Sequence, residues 1–226
     1  NSSDLGALGY SRDHQPGKMQ ITWGISTGMN DIPIAMTIQK GNVQDKKHFG
    51  FMLSTAGKIL DKGSLLIFDC GGNTKKNKEK IIDKKFNYLT LKAKQKKPYL
   101  HYIGLFEQQT KFGFIINKRT YFSSKVKSEN ENQYIYFSPE LKKDQLRKKN
   151  KKFQRALEKG DKILTKINKG KSIGEHISRR GNIIMKGEIQ TSLSEIINPF
   201  VTGLEGYFIL ESSVDSKPEK ILRLYK

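Results

Sequence analysis

Residues 64–72, Ser64-Leu65-Leu66-Ile67-Phe68-Asp69-Cys70-Gly71-Gly72, decide how this chain is read. A short unbroken apolar run closed by Asp and Gly predicts a strand buried on both faces, as in a sheet covered by helices. On its C-terminal side, Thr74 to Lys85 predicts a very basic helix and residues 86–93 (FNYLTLKA) a second strand. On its N-terminal side, Phe49, Met52, Leu53, Ala56, Ile59 and Leu60 recur at helical spacing and predict an amphipathic helix from Asp45 to Leu60. Farther upstream, residues 19–27 (MQITWGIST) and 32–39 (IPIAMTIQ) flank the turn Gly28 to Asp31 and predict a hairpin. Pro33 belongs at an edge or a strand entry. Hairpin, helix, buried strand, helix, strand is the pattern of an α/β chain with a mixed sheet.

From about residue 98 the pattern changes. Phe112 to Asn117, Thr120 to Val126 and Gln133 to Ser138 predict short strands between polar turns. Ser138 caps a long basic helix from Pro139 to about Asn168, with Leu146, Phe153, Leu157, Leu164 and Ile167 as its apolar stripe. Residues 183–191 (IIMKGEIQT) and 206–211 (GYFILE) predict further strands. Ser216-Lys217-Pro218-Glu219 opens a last helix, with Ser216 as its cap. The expected division is a core over 1–97, a β-rich insertion with the long helix over 98–203, and a return to the core over 204–226. The first residue is Asn, and the last helix stops without a Gly or Asn terminator, so the chain is expected to be cut off at both ends.

With 42 Lys plus Arg against 22 Asp plus Glu, the formal net charge is +20. A surplus of that size repels itself unless a polyanion neutralises it, and nucleic acid, an anionic membrane surface or an acidic protein would serve. A lysine-rich proteome would raise the count without any such meaning. Nucleic acid is the partner the charge favours. The single cysteine, Cys70, excludes an internal disulfide framework, and the expected compartment is the reducing cytoplasm. Runs such as Ser64 to Phe68 and Phe112 to Ile116 are too short to span a bilayer, so no membrane role is expected.

Asp69 is the residue most suited to chemistry. A carboxylate at the C-terminal end of a buried strand stands where ligands bind in α/β sheets. Gly71 and Gly72 behind it would let a metal or phosphate come close, although Asp and Gly also simply make turns. Magnesium chemistry wants two or three such carboxylates, because a hard cation takes oxygen ligands, and the sequence offers no second strand-end carboxylate in comparable surroundings. Asp45 reads as a helix N-cap and Asp13 as one half of a loop salt bridge. His14, His48, His101 and His176 show no zinc spacing, and Cys70 reads as a small core residue. Gly71 to Lys76 lacks the spacing of a phosphate loop. Basic residues cluster at Lys75 to Lys85, Lys92 to Lys97 and Lys142 to Arg155, either as solvated helix faces or as grips on phosphate; Tyr88, Tyr99 and Phe153 among them are core or contact.

Several of these stretches share a resemblance. Gly9-Tyr10-Ser11-Arg12-Asp13-His14-Gln15-Pro16, followed by Gln20-Ile21-Thr22-Trp23-Gly24-Ile25, resembles the loop-and-strand signature of insertion-sequence-four-type transposases. Ile32-Pro33-Ile34 running to Gly41-Asn42-Val43-Gln44-Asp45 is similar to their link from strand to helix. Leu65 to Asn73 is similar to the strand that carries their second catalytic Asp, and Gly203 to Leu210 with Glu219 to Tyr225 to the approach to their catalytic Glu. The likeness is specific over about 4–92 and 203–226 and architectural between them.

The resemblance implies a ribonuclease-H-like mixed sheet, interrupted by a β-rich insertion with a long basic helix. It implies an Asp-Asp-Glu nuclease and strand-transferase that cuts and joins DNA at insertion-sequence ends. Two Mg2+ (or Mn2+) ions in the complete protein would activate water or a DNA 3′-hydroxyl. The partners implied are transposon ends and target DNA, and a homodimer of the full-length protein is a further expectation. Asp69 alone carries over as catalytic residue and metal ligand; the first Asp would precede Asn1 and the Glu would follow Lys226. Cys70 stands where the family often has Arg. Arg12, Lys75, Lys76, Lys78, Lys148, Lys149 and Arg155 are the expected DNA-binding cations. Two other readings compete, a nucleic-acid-binding remnant without chemistry and an accessory protein for ribosomal RNA.

Overall fold

The structure is a computed structural model that describes residues 4–9, 17–128, 131–168, 198 and 200–226. Its first elements are β1 (Ala7–Leu8), β2 (Met19–Thr27), β3 (Pro33–Lys40), α1 (Asp45–Ala56), β4 (Leu65–Phe68), α2 (Lys75–Asp83) and β5 (Asn87–Leu91). Then come α3 (Lys96–Gln108), β6 (Phe112–Ile116), β7 (Arg119–Lys127), β8 (Asn132–Phe137), α4 (Pro139–Asn168), β9 (Tyr207–Ser212) and α5 (Pro218–Tyr225). One sheet has the order β1-β2-β3 and a second the order β4-β5-β9-β8-β7-β6. The second is mixed: β4 and β5 are parallel, while β5–β9 and β6–β7 are antiparallel. The chain is therefore of mixed α/β class, with the hairpin in a sheet of its own. The predicted strand over 183–191 lies outside the described residues.

Two compact units divide the chain, one of Asn1–Lys94, Ser124–Ile135 and Phe208–Lys226, the other of Gln95–Ser123 and Tyr136–Tyr207. In the first, β2 and β3 pair in the expected hairpin, with Asn30 and Asp31 at positive φ in its turn and Pro33 opening the second strand. Gly41 closes it. A Cβ there would stand 2.0 Å from the carbonyl oxygen of Gln20, so no other residue fits. One hairpin face lies on α1, where His48 Nε2 and Thr37 Oγ1 are 2.7 Å apart. The opposite face turns Met19, Ile21, Trp23, Ile25, Met36 and Ile38 outward, with Trp23 62 % exposed.

The other side of α1 helps build the unit's core. Leu53, Ile81, Phe86 and Tyr88 are buried there, with Phe49, Leu60, Leu66 and Phe68 packed against them. Burying each large apolar side chain of this kind contributes about 1.5–3 kcal/mol. Three expectations need correction here. The N-cap of α1 is Gln44 rather than Asp45, which takes the first helical position, where its charge suits the helix dipole. The same helix ends at Ala56 rather than Leu60, and Ile59 is exposed. The run at β4 is not buried on both faces: β4 ends its sheet and Ile67 is 46 % exposed. Continuous hydrophobicity does not report how many faces are covered.

In the second unit, α3 is a helix that the sequence pattern did not predict. Pro98 sits in its first turn, where a missing N–H costs nothing, and Tyr99 and Phe106 are buried. Phe106 meets Tyr207 edge-on at 5.7 Å, and Phe137 lies against Tyr207 at 4.7 Å. Asn117 and Lys118, both at positive φ, make the two-residue turn between β6 and β7. Ser138 caps α4 as expected, its Oγ accepting from Leu141 N, and Phe153 packs with Ala156 and Phe200. Lys217, not Ser216, is the N-cap of α5, with Pro218 just inside. No helix among the described residues is long and apolar enough to cross a membrane.

Candidate functional site

Asp69 directly follows β4, and the parallel pairing of Phe68 with Thr90 sets the carboxyl ends of β4 and β5 side by side. Its carboxylate is exposed at that end of the sheet. The local turn is fixed twice: Gly71 N donates to Asp69 Oδ1 at 2.8 Å, and the buried Thr90 hydroxyl donates to the Asp69 carbonyl at 3.1 Å. Gly72 is glycine for packing rather than for ligand approach, since a Cβ there would lie 2.7 Å from the Phe49 ring. That ring lies tilted against Phe68, with the centroids 4.5 Å apart.

A second carboxylate reaches the same place. A Cβ on Gly71 would be 3.0 Å from Asp69 Oδ1 and 3.5 Å from Asp45 Oδ2, so both acids approach one point above this glycine. Asn77 holds the two segments together. Its buried amide donates to Gly72 O at 2.9 Å and to Lys46 O at 3.2 Å, tying the start of α1 to the Asp69 loop. From α5, Tyr225 comes near: burial pushes its hydroxyl pKa up, and negative charge on Asp69 and Cys70 adds to the rise. Cys70 is exposed rather than a core residue, because it sits on the outer side of the turn. Asp45 and Tyr225 join Asp69 through long-range folding, which neither spacing nor motif in the sequence announces.

Behind the loop lies a buried ionic cluster. Asn73 donates to Leu91 O at 2.9 Å and to Glu211 Oε2 at 2.7 Å. Glu211, almost fully buried on β9, also accepts from Lys78 at 2.7 Å and from Lys92. Lys78 reaches Glu131 as well, at 2.6 Å, and Tyr88 donates to Glu131 at 2.9 Å. Burial by itself would raise the Glu211 pKa, but the hydrogen bonds from Lys78 and Lys92 outweigh it and hold the carboxyl below its ordinary value. Burial and the Glu131 carboxylate both push the Tyr88 hydroxyl up, so it stays protonated as a donor.

Among the described residues, no group of three or more His, Cys, Asp or Glu converges as a metal site. The predicted cations are scattered. Lys75 and Lys76 are exposed on α2, and Lys148 and Arg155 on α4. Two of the expected grips on DNA are committed elsewhere. Lys78 is occupied by Glu131 and Glu211, and Lys149 by Glu205. Arg12, Asp13, His14 and His176 lie outside the described residues. Tyr88, Tyr99 and Phe153 are all buried and therefore core. No protein-family model, curated protein or solved structure matches the chain.

Proposed function

We propose that this chain is part of a DNA transposase with a ribonuclease-H-like core, which cleaves and rejoins phosphodiesters at the ends of its element, and that Asp69 is one of its catalytic metal ligands. Asp69 carries the proposal: an exposed carboxylate at the carboxyl end of a strand in a mixed sheet, in the stretch that resembles the transposase strand. The net charge of +20 suits a partner that is a polyanion.

Magnesium is the ion the resemblance implies, and in such chemistry it polarises the phosphate and lowers the pKa of the attacking hydroxyl. Asp69 suits it as an oxygen ligand, with Asp45 nearby. Two carboxylates fall short of the third acid that the family uses, and magnesium dehydrates reluctantly. The described residues do not make a magnesium site by themselves, and no cleavage is expected of them alone. Supercoiled plasmid incubated with this chain and magnesium should stay uncut, as with Asp69→Ala; robust nicking that depends on Asp69 would refute this. A polypeptide that adds an upstream Asp strand and a downstream Glu helix should nick, and Asp69→Ala should return it to background.

The absence of a three-ligand cluster among the described residues favours a second reading, a nucleic-acid-binding remnant without chemistry. The flanking coding DNA separates the two. An open frame running upstream to an Asp and downstream to Arg and Glu supports the transposase, and stop codons support the remnant.

A further inference from the structure

We propose that a cleft along the N-terminal half of α4 is a track for the phosphodiester backbone of DNA, gripped by Lys142, Lys143 and Arg147. The cleft, about 710 Å3, is lined by Phe137, Lys142, Lys143, Leu146, Arg147 and Asn150. At 3.6 residues per turn, positions 142, 143, 146, 147 and 150 share one side of the helix, within an arc of about 140°. Lys148, Lys151 and Arg155 centre on the far side, so within the basic run from Lys142 to Arg155 the expected DNA-binding cations Lys148 and Arg155 do not line the cleft, whereas Lys142, Lys143 and Arg147 do.

The floor is aromatic and fixed. Phe137 rests on Tyr207, and the Lys142 ammonium stands 5.9 Å from the centre of the Phe137 ring. Among the described residues neither Lys142 nor Lys143 forms an ion pair, and both are exposed. Arg147 lies 3.8 Å from Asp144 with its side chain 77 % exposed, a separation that orients a guanidinium without neutralising it. Asp144 also takes Arg119 at 3.2 Å. Lys143 and Arg147 are one turn apart, about 6 Å along the axis. The charges of one DNA strand wind around the duplex as well as along it, so a pair at this separation suits neighbouring phosphates of that strand. Such contacts fix where the duplex lies without reading its sequence. The track rests on the proposal that the partner is DNA, but not on Asp69.

The test is fluorescence anisotropy of a labelled mixed-sequence duplex, titrated with this chain over a range of salt. Lys142→Ala, Lys143→Ala and Arg147→Ala combined should weaken binding at least about tenfold and reduce the slope of log affinity against log salt by about 2 to 3. Lys148→Ala, Lys151→Ala and Arg155→Ala, with the same loss of charge from the opposite side, should reduce the slope by less than about 1. Equal losses from the two triples would overturn the track and leave DNA binding standing. No salt-dependent binding by the unaltered chain would overturn both the track and the DNA partner. All six positions are exposed. Should either triple unfold in a thermal melt, Lys143→Glu against Lys148→Glu separates the same outcomes: only the first should weaken binding about tenfold or more, and equal weakening would overturn the track.

Discussion

Two parts of the first unit invert the usual arrangement of side chains, and in opposite ways. On the hairpin, Met19, Ile21, Trp23, Ile25, Met36 and Ile38 face outward. Around β9, Glu211, Glu131, Lys78 and Lys92 are withdrawn from water. The charges are tolerable because each has a partner: two acids face two lysines, and Asn73 and Tyr88 fill remaining positions. The hairpin has a helix on one face only among the described residues, and that face carries polar and small side chains such as Thr22, Gly24 and Thr37, so most of its large apolar side chains are on the open side. Exposed patches of that kind mark contact surfaces in folded proteins. Burial in this unit follows partnership rather than polarity.

The severest way to break that comparison is to remove a buried carboxylate that two lysines share. Glu211→Ala leaves Lys78 and Lys92 without their shared carboxylate and should cost about 3–5 kcal/mol, read from urea denaturation; a loss under about 1 kcal/mol would mean the cluster is wetter than it looks. Acid should act the same way. Because the Glu211 carboxyl is held below its ordinary value, its contribution is complete above the unfolded pKa of about 4.3 and is lost as pH falls through the folded value. Glu211→Gln should flatten that part of the stability–pH curve.

The second unit offers a milder case. Burial tends to raise the Glu205 pKa, but Lys149 and the backbone N–H of Thr202 prevail and bring it down to about 2. Its stabilisation should fade between about pH 4.3 and 2. Lys149→Ala should move that loss to higher pH and cost about 1.5–3 kcal/mol, the range for a hydrogen bond to a charged group. An unchanged acid limb would show the pair to be dispensable. The smallest effect belongs to the open face. Trp23→Lys should change stability by less than about 0.5 kcal/mol. Trp23 is the chain's single tryptophan, so its fluorescence should be strongly quenched by iodide; a shielded, unquenched signal would mean that the face is covered in solution.

What can be foreseen from the sequence is what short-range pattern specifies. Alternation in β2 and β3, a Ser before Pro139, and helical spacing in α1 each act within a few residues, and each element is present. The failures are of reach. Glu211 meets Asn73, Lys78 and Lys92 across separations of 138, 133 and 119 residues, which no window detects. Asp45 reads as a helix cap because its approach to Asp69 depends on Asn77 bridging the start of α1 and the Asp69 loop. Helix α3 escapes the pattern because Lys96-Lys97-Pro98 looks like a linker, and its buried positions, Tyr99 and Phe106, are aromatics that suit a strand equally well. Lys78 and Lys149 look as free as any lysine until their carboxylates are located.

The bond from Asn73 to Glu211 has a temporal meaning. On the ribosome, Asn73 and the turn it anchors emerge 138 residues ahead of the glutamate that braces them. At ordinary elongation speeds that is a wait of roughly 7 to 28 s. Through that interval the nascent loop has its local turn and its bonds to β5 but no glutamate behind Asn73, and Lys78 lacks the second of its acids. The bracing of the loop that follows Asp69 is thus completed late in synthesis, by a strand made long after it.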